Sequence, residues 1–170
     1  IIRKLGAGAM ATVFLAQQES LDRPVAIKVL PTKFSENEEF IDRFYKEGRA
    51  AAKLTHPNIF QAYAVGVSGE HHYVVMDSVD GVTSFERVEE EKQLSEKEAM
   101  KILKQVALAL KHAHEAGFIH RDVKPKNIMI SLKGDVKLAD LGLARAMSDL
   151  ETAEAEAGRA YGTPYYISPE

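Results

Sequence analysis

The chain has 170 residues, 45% of them hydrophobic and 28% charged, with a net charge of −3 and no cysteine. This length can bury one core or two small ones, the charge argues against a surface that coats nucleic acid, and the lack of cysteine removes disulfide frameworks and thiolate metal sites. No apolar run approaches the roughly 18 residues of a membrane span and no leader pattern opens the chain, so a cytoplasmic globular region without a membrane segment is expected.

In chain order, "RKLGAGAMATVFLAQQ" (3–18) places small, flexible residues between two extended segments. "RPVAIKVL" (23–30) and "HHYVVMDSV" (71–79) read as β-branched strands. Between them a helix is predicted from a capping box, Ser35 with Glu38, to about Leu54, where "THPN" stops it. "DSVDGVT" (77–83) is the expected boundary between two parts of the chain. A longer helix is predicted from Ser95 to Ala116, with Ser95 and Glu98 as a second capping box and Gly117 just past its end. Its apolar positions Ala99, Ile102, Leu103, Val106, Leu110 and Ala113 follow helical spacing. "NIMISLKGDVKLAD" (127–140) reads as a hairpin turning at Lys133-Gly134. From Leu141 onward periodicity is lost, and the acidic "SDLETAEAEAGRA" (148–160) is read as a loop or short helix.

Two charges fall on apolar faces. Strand alternation puts Lys28 beside Ala26 and Leu30, and Glu47 completes the helical stripe of Phe40, Phe44, Ala51 and Leu54. An unpaired buried charge costs several kcal/mol, roughly, so one solution serves both: Lys28 and Glu47 pair. "LGAGAMATV" (5–13) offers backbone N–H groups with little side-chain bulk, which suits phosphates, although glycines in a hairpin turn are the commoner meaning of such a stretch. "IHRDVKPKNIMI" (119–130) gathers Arg121, Lys124 and Lys126 around Asp122 and sets Asn127 after them. In "KLADLGLA" (137–144), Asp140 follows a strand; with Asn127 it could offer a hard cation two oxygen ligands, and alone it is an ordinary turn residue. The histidines form no coherent ligand set, so His71, His72, His112 and His114 read as surface or packing residues and His120 as a core histidine.

Taken in order, the Gly-rich loop, "VAIK", the helix glutamate, "HRD", "DLG" and the closing "GTPYYISPE" (162–170) resemble the protein kinase signature set. "DLG", "SPE" and Ala11 at the third small position of the loop resemble the bacterial, eukaryotic-like (Hanks-type) serine/threonine kinases. The resemblance covers essentially the whole chain. It implies an α+β, two-lobe fold: residues 1–79 as a small antiparallel-sheet N-lobe with one helix that binds nucleotide, and 80–170 as part of a helical C-lobe. Leu5, Gly6, Ala7 and Gly8 would lie over the ATP phosphates, and Lys28, held by Glu47, would meet the α- and β-phosphates. Val13, Ala26 and Met129 would sandwich the adenine, with Met76 as gatekeeper and Asp77 to Val79 as the hinge. Asp122 would orient the substrate hydroxyl, Lys124 would approach the transferred phosphate, and Asn127 and Asp140 would hold Mg2+. Arg121, Thr152, Ser148 and Thr163 are the regulatory candidates, Thr163 chiefly as a structural partner of the catalytic loop. Glu154 and Glu156 are candidates to stand in for a phosphate at Arg121.

The function implied is transfer of the ATP γ-phosphate to serine and threonine hydroxyls of proteins, with ATP, Mg2+ and protein substrates as partners and no nucleic acid. The alternative is an inactive nucleotide-binding or scaffolding fragment, because the family continues with helices beyond the point where this sequence stops. On that expectation the chain is a kinase domain truncated after "SPE", its long helix short of packing partners and its stability poor in isolation. A small-molecule kinase is disfavoured by the "GTPYYISPE" segment. Bacterial relatives often carry a membrane span outside the kinase region.

Overall fold

Alternating β-branched residues build the first part of the structure, a computed structural model that describes residues 1–8, 11–140, 145–146 and 163–167. The chain divides into two compact units, Ile1–Thr55 with Phe60–Ser78, and His56–Ile59 with Val79–Glu170. In the first unit, β1 (Arg3–Ala7), β2 (Thr12–Gln18), β3 (Arg23–Val29), β4 (Ala62–Ser68) and β5 (His71–Met76) form an antiparallel sheet ordered β1-β2-β3-β5-β4. Val13 lies opposite Lys28 and Leu15 opposite Ala26, while Ala26 faces Met76 and Lys28 faces Val74 on the other side of β3. Directly opposed residues share a face, so this register puts Val13, Ala26, Lys28 and Met76 on one face of the sheet. Val25 and Ile27 point to the other.

Helix α1 (Glu38–Lys53) packs on the face that carries Lys28. Its cap differs from the sequence expectation. Ser35 is in helical geometry at the end of a 3₁₀ turn over Thr32–Phe34. Asn37 instead has the extended backbone an N-cap needs, and its side chain accepts from the amides of Glu39 (3.0 Å) and Phe40 (3.3 Å). Phe44, Gly48, Ala50 and Ala51 are buried. Gly48 permits the close approach: a Cβ there would stand 2.8 Å from Cγ1 of Val65 and 2.9 Å from Cγ2 of Val74.

The second unit holds α2 (Ser84–Glu91) and α3 (Glu96–Glu115). It also holds a sheet of β6 (Gly81–Thr83), β8 (Ile128–Ser131) and β9 (Val136–Leu138), ordered β6-β8-β9, and a ribbon of β7 (Phe118–Ile119) with β10 (Arg145–Ala146). Neither β4 nor α2 was anticipated. Thr83 and Glu86 form a reciprocal capping box on α2. Ser95 caps α3 by accepting from the amide of Glu98, but the Glu98 carboxylate goes to Arg87 on α2 (3.4 Å). The buried stripe of α3 is Ile102, Val106, Ala109 and Ala113. Leu103, expected in that stripe, is 58% exposed because it sits one residue, about 100°, round from Ile102. Met100 and Leu108 are exposed with it.

Asn58 fixes the segment His56–Ile59 into this unit. Its amide donates to Gln105 Oε1 (2.9 Å) and to the Val136 carbonyl (2.7 Å), and its carbonyl accepts from Leu138 (2.8 Å). The hairpin between β8 and β9 turns at Gly134, whose φ of +79° favours glycine. At Gly81 a Cβ would lie 2.0 Å from the Ile130 carbonyl oxygen, so β6 seats on β8 only without a side chain there. Among the described residues no helix is long and apolar enough to cross a membrane.

The capping assignment sets a prediction for urea unfolding. Asn37→Ala should lower stability by about 1 kcal/mol, the usual loss for an N-cap. Ser35→Ala should not lower it, since among the described residues Ser35 Oγ is buried without a hydrogen-bond partner.

Candidate active site

In the first unit, Lys28 Nζ lies 2.5 Å from Glu47 Oε1, and both side chains are only 15% exposed. The lysine comes from β3 and the acid from α1, each on the element and face that strand and helix periodicity assign it. Leu5, Gly6 and Ala7 lie on β1 and Gly8 follows it, all exposed. The Gly8 amide donates to the Ala11 carbonyl (2.8 Å) across the turn, whose residues 9 and 10 lie outside the described residues. Ala26 is buried, and Met76 closes β5. Asp77, just beyond, donates its backbone amide to the Gln61 carbonyl (3.0 Å), and its carboxylate accepts from the Gln61 amide (3.1 Å) and the Tyr63 hydroxyl. A cavity of about 520 Å³ opens on the sheet face away from Lys28, lined by Arg23, Ile27, Tyr63 and Val75 among others.

In the second unit, Asp122, Asn127 and His120 are buried at 9%, 6% and 1% exposure. Asp122 Oδ2 accepts from Lys124 Nζ (2.6 Å) and Asn127 Nδ2 (3.2 Å), and Oδ1 accepts from the Thr163 hydroxyl (2.7 Å). Thr163 in turn accepts from Lys124 (2.8 Å). Asn127 Nδ2 also donates to the Asp122 carbonyl (2.9 Å), which spends its amide donors and leaves its side-chain oxygen as an acceptor. Asp140, exposed, follows β9, and the residue before it is tied to the loop twice: Ala139 N donates to the Asn127 carbonyl (2.8 Å) and His120 Nε2 to the Ala139 carbonyl (3.1 Å). Arg121 and Asp140 hold φ values of +64° and +65°, a region that costs a non-glycine residue about 1–3 kcal/mol and clusters at functional sites. Met129 lies on β8, opposite Thr83 and Lys137, and Val79 precedes β6. Thr152, Ser148, Glu154, Glu156 and Leu141 lie outside the described residues.

A family profile described as "Protein kinase domain" matches residues 1–170. The chain belongs to this family. It is similar to the serine/threonine-protein kinase PrkC of Bacillus subtilis, 41% identical over 170 residues that make up 100% of this chain and 26% of that protein. It is also similar to PknL of Mycobacterium tuberculosis, 40% identical over 167 residues, 98% of this chain and 41% of that protein. Among solved structures, the PknI kinase domain of Mycobacterium tuberculosis aligns with a TM-score of 0.71 at 34% identity, covering 85% of this chain and 59% of that one. The chain thus spans about a quarter of the length of the first curated relatives it matches, 26% and 27%.

Within this kinase chain the loop's electrostatics have a definite sign. Burial alone would raise the Asp122 carboxyl. Hydrogen bonds from Lys124, Thr163 and Asn127, with the charge of Lys124, outweigh burial and hold it below the ordinary carboxylate value. Asp122 is therefore ionised at neutral pH. His120 is pushed down, first by burial; the bond to Ala139 and the charges of Asp140 and Asp122 offset only part of this. Its bonds fix the form: Nε2 must donate to a carbonyl, while Nδ1 accepts from the Asp122 amide (3.3 Å). Only the neutral Nε2–H imidazole satisfies both.

The kinase motifs name these loop residues, but several supporting side chains carry no motif. Asn58, Gln105, Tyr45 and Tyr63 act through long-range hydrogen bonds that periodicity does not encode. An Asn directly after a Pro in "THPNI" was the one available hint, since a buried Asn demands partners.

The neutral His120 predicts a pH response. Its folded value lies below the ordinary 6.5, so the unfolded chain takes up the proton first. Its contribution to stability is complete above about pH 6.5 and is lost as pH falls from there toward the folded value. Urea midpoints measured between pH 7.5 and 5 should fall, and His120→Gln, which keeps a donor for Ala139 without titrating, should flatten that fall.

Proposed function

We propose that the protein transfers the γ-phosphate of ATP to serine and threonine hydroxyls of other proteins, in the cytoplasm. Residues 1–79 carry the nucleotide-binding side chains and 80–170 the catalytic loop and activation segment. In this reading Lys28, oriented by Glu47, contacts the α- and β-phosphates, and the Leu5–Gly8 stretch lies over them. Val13, Ala26 and Met129 flank the adenine, with Met76 beside it and the backbone of Asp77 to Val79 along its edge. Asn127, through its side-chain oxygen, and Asp140 are the residues that would hold Mg2+. An amide oxygen and a carboxylate suit a hard cation that keeps several of its waters. Bound there, Mg2+ neutralises charge on the phosphates.

The observation that carries the reading is the donor count on Asp122. A carboxylate offers about four lone-pair positions. Among the described residues Oδ2 accepts two hydrogen bonds and Oδ1 one, which leaves an acceptor position on Oδ1 of an ionised group. A serine or threonine hydroxyl can donate there. Its oxygen forms the new bond to the γ-phosphorus, the bond from that phosphorus to the β-phosphate oxygen breaks, and the hydroxyl proton passes toward Asp122. Lys124 offsets the negative charge that develops on the moving phosphoryl group. Arg121 is assigned to hold a phosphate or carboxylate of the segment that includes Thr152.

Incorporation of radiolabelled phosphate from ATP into a generic basic protein tests this in the full-length kinase. Asp122→Asn should lower transfer at least ~10²-fold, in line with the loss of a positioned acid–base group. Label should appear on serine and threonine. Nucleotide binding with no transfer by the unaltered protein would instead favour a scaffolding role.

A further inference from the structure

The Lys28–Glu47 contact depends on how helix α1 is rotated about its own axis. Successive residues are about 100° apart round a helix. On that count Phe44, Gly48 and Ala51 form the middle of the buried face, and Glu47 and Tyr45 stand at its two margins, about 160° apart across it. Burial agrees, since Phe44, Gly48 and Ala51 are buried while Tyr45 and Glu47 are intermediate. Glu47 reaches β3 at one margin. At the other, the Tyr45 hydroxyl lies 3.2 Å from the Gly66 carbonyl on β4 and 2.8 Å from His72 Nδ1 on β5. The two rings meet edge-on, with centroids 5.5 Å apart at 68°.

The hydroxyl has one proton. A carbonyl only accepts, so for both bonds to form that proton goes to Gly66 and the phenol oxygen accepts from His72 Nδ1–H. Both bonds are made together only when His72 carries a proton on Nδ1. Gly48 meanwhile sets the distance: its missing Cβ brings the helix against Val65 and Val74 with no slack. Separation is thus fixed in the middle of the face and rotation at its edge.

We propose that Tyr45 and His72 are positioning residues, a clamp on the rotation of α1 that keeps Glu47 against Lys28. They touch neither nucleotide nor substrate. Their effect on catalysis rests on the assignment of Lys28 and Glu47 to the phosphates, whereas their effect on the helix does not.

The test uses the full-length protein. Tyr45→Phe keeps the ring and loses both bonds. His72→Phe keeps bulk without Nδ1, and His72→Asn restores an N–H donor near where Nδ1 stands. Tyr45→Phe and His72→Phe should each raise KM for ATP about five- to tenfold, the scale of one net hydrogen bond, well below the melting temperature. The double variant should be no worse than Tyr45→Phe alone, because that change already removes the bond to His72. His72→Asn should recover most of the affinity. A merely structural role would lower the active fraction, hence the apparent kcat, and leave KM alone. Amide exchange over residues 42–48 reports on the clamp without activity and should quicken about fivefold in Tyr45→Phe, one hydrogen bond's worth. If the unaltered protein transfers no phosphate, the phosphate assignment fails while exchange still decides the clamp. Unchanged exchange in Tyr45→Phe, full additivity in the double variant, or no recovery with His72→Asn would overturn the proposal.

Discussion

A carboxylate held in its charged form inside protein is the constraint around which the second unit is arranged. Burying Asp122 penalises its ionised state, and that state survives because Lys124, Thr163 and Asn127 all direct protons at it. Lys124 and Asn127 come from the same loop, and Thr163 from far along the chain. Thr163 lies 41 residues from Asp122, so two distant parts of the chain are bonded at this carboxylate. The loop in turn is pinned from behind by a histidine that must stay neutral and by the Ala139–Asn127 backbone bond. The left-handed conformations of Arg121 and Asp140 are tolerated in a region this heavily bonded.

In the first unit the corresponding constraint is an ion pair. Lys28 and Glu47 are each mostly shielded from water. Such a pair is weak support for stability, because desolvation consumes much of the attraction, but removing one partner strands the other. The pair is better understood as a geometrical commitment: helix and strand must meet at one rotation and one distance. Gly48 and the hydroxyl of Tyr45 supply both from the same helix turn.

What could be read in advance followed from violations of a pattern. Lys28 and Glu47 were legible because each interrupts an apolar face, and the loop around Asp122 because its charges and asparagine keep a recognisable order. The hairpin at Gly134 and both long helices were legible from periodicity and turn chemistry. Other features were hidden for physical reasons. β4 reads "AYAVGVS", with small residues and a central glycine that dilute the strand signal. Helix α2 is short and polar, and its cap sits inside a stretch that looks like a linker. Ser35 and Asn37 both suit a cap, and only backbone geometry decides between them. Leu103 sits at a spacing compatible with the core of α3, but one position off the line that α3 buries.

Gly81 has no polar side chain and belongs to none of the kinase motifs, yet the loop leans on it. Any side chain there would collide with the Ile130 carbonyl and lift the short strand off its neighbour. That strand runs straight into α2, whose first residue, Ser84, donates its hydroxyl to the Pro125 carbonyl (2.9 Å), two residues before Asn127. A bulkier residue would thus also disturb α2 and its bond to the segment just before Asn127. An inherited or engineered change at this silent position can therefore disturb the loop around Asp122 while every recognisable signature stays intact.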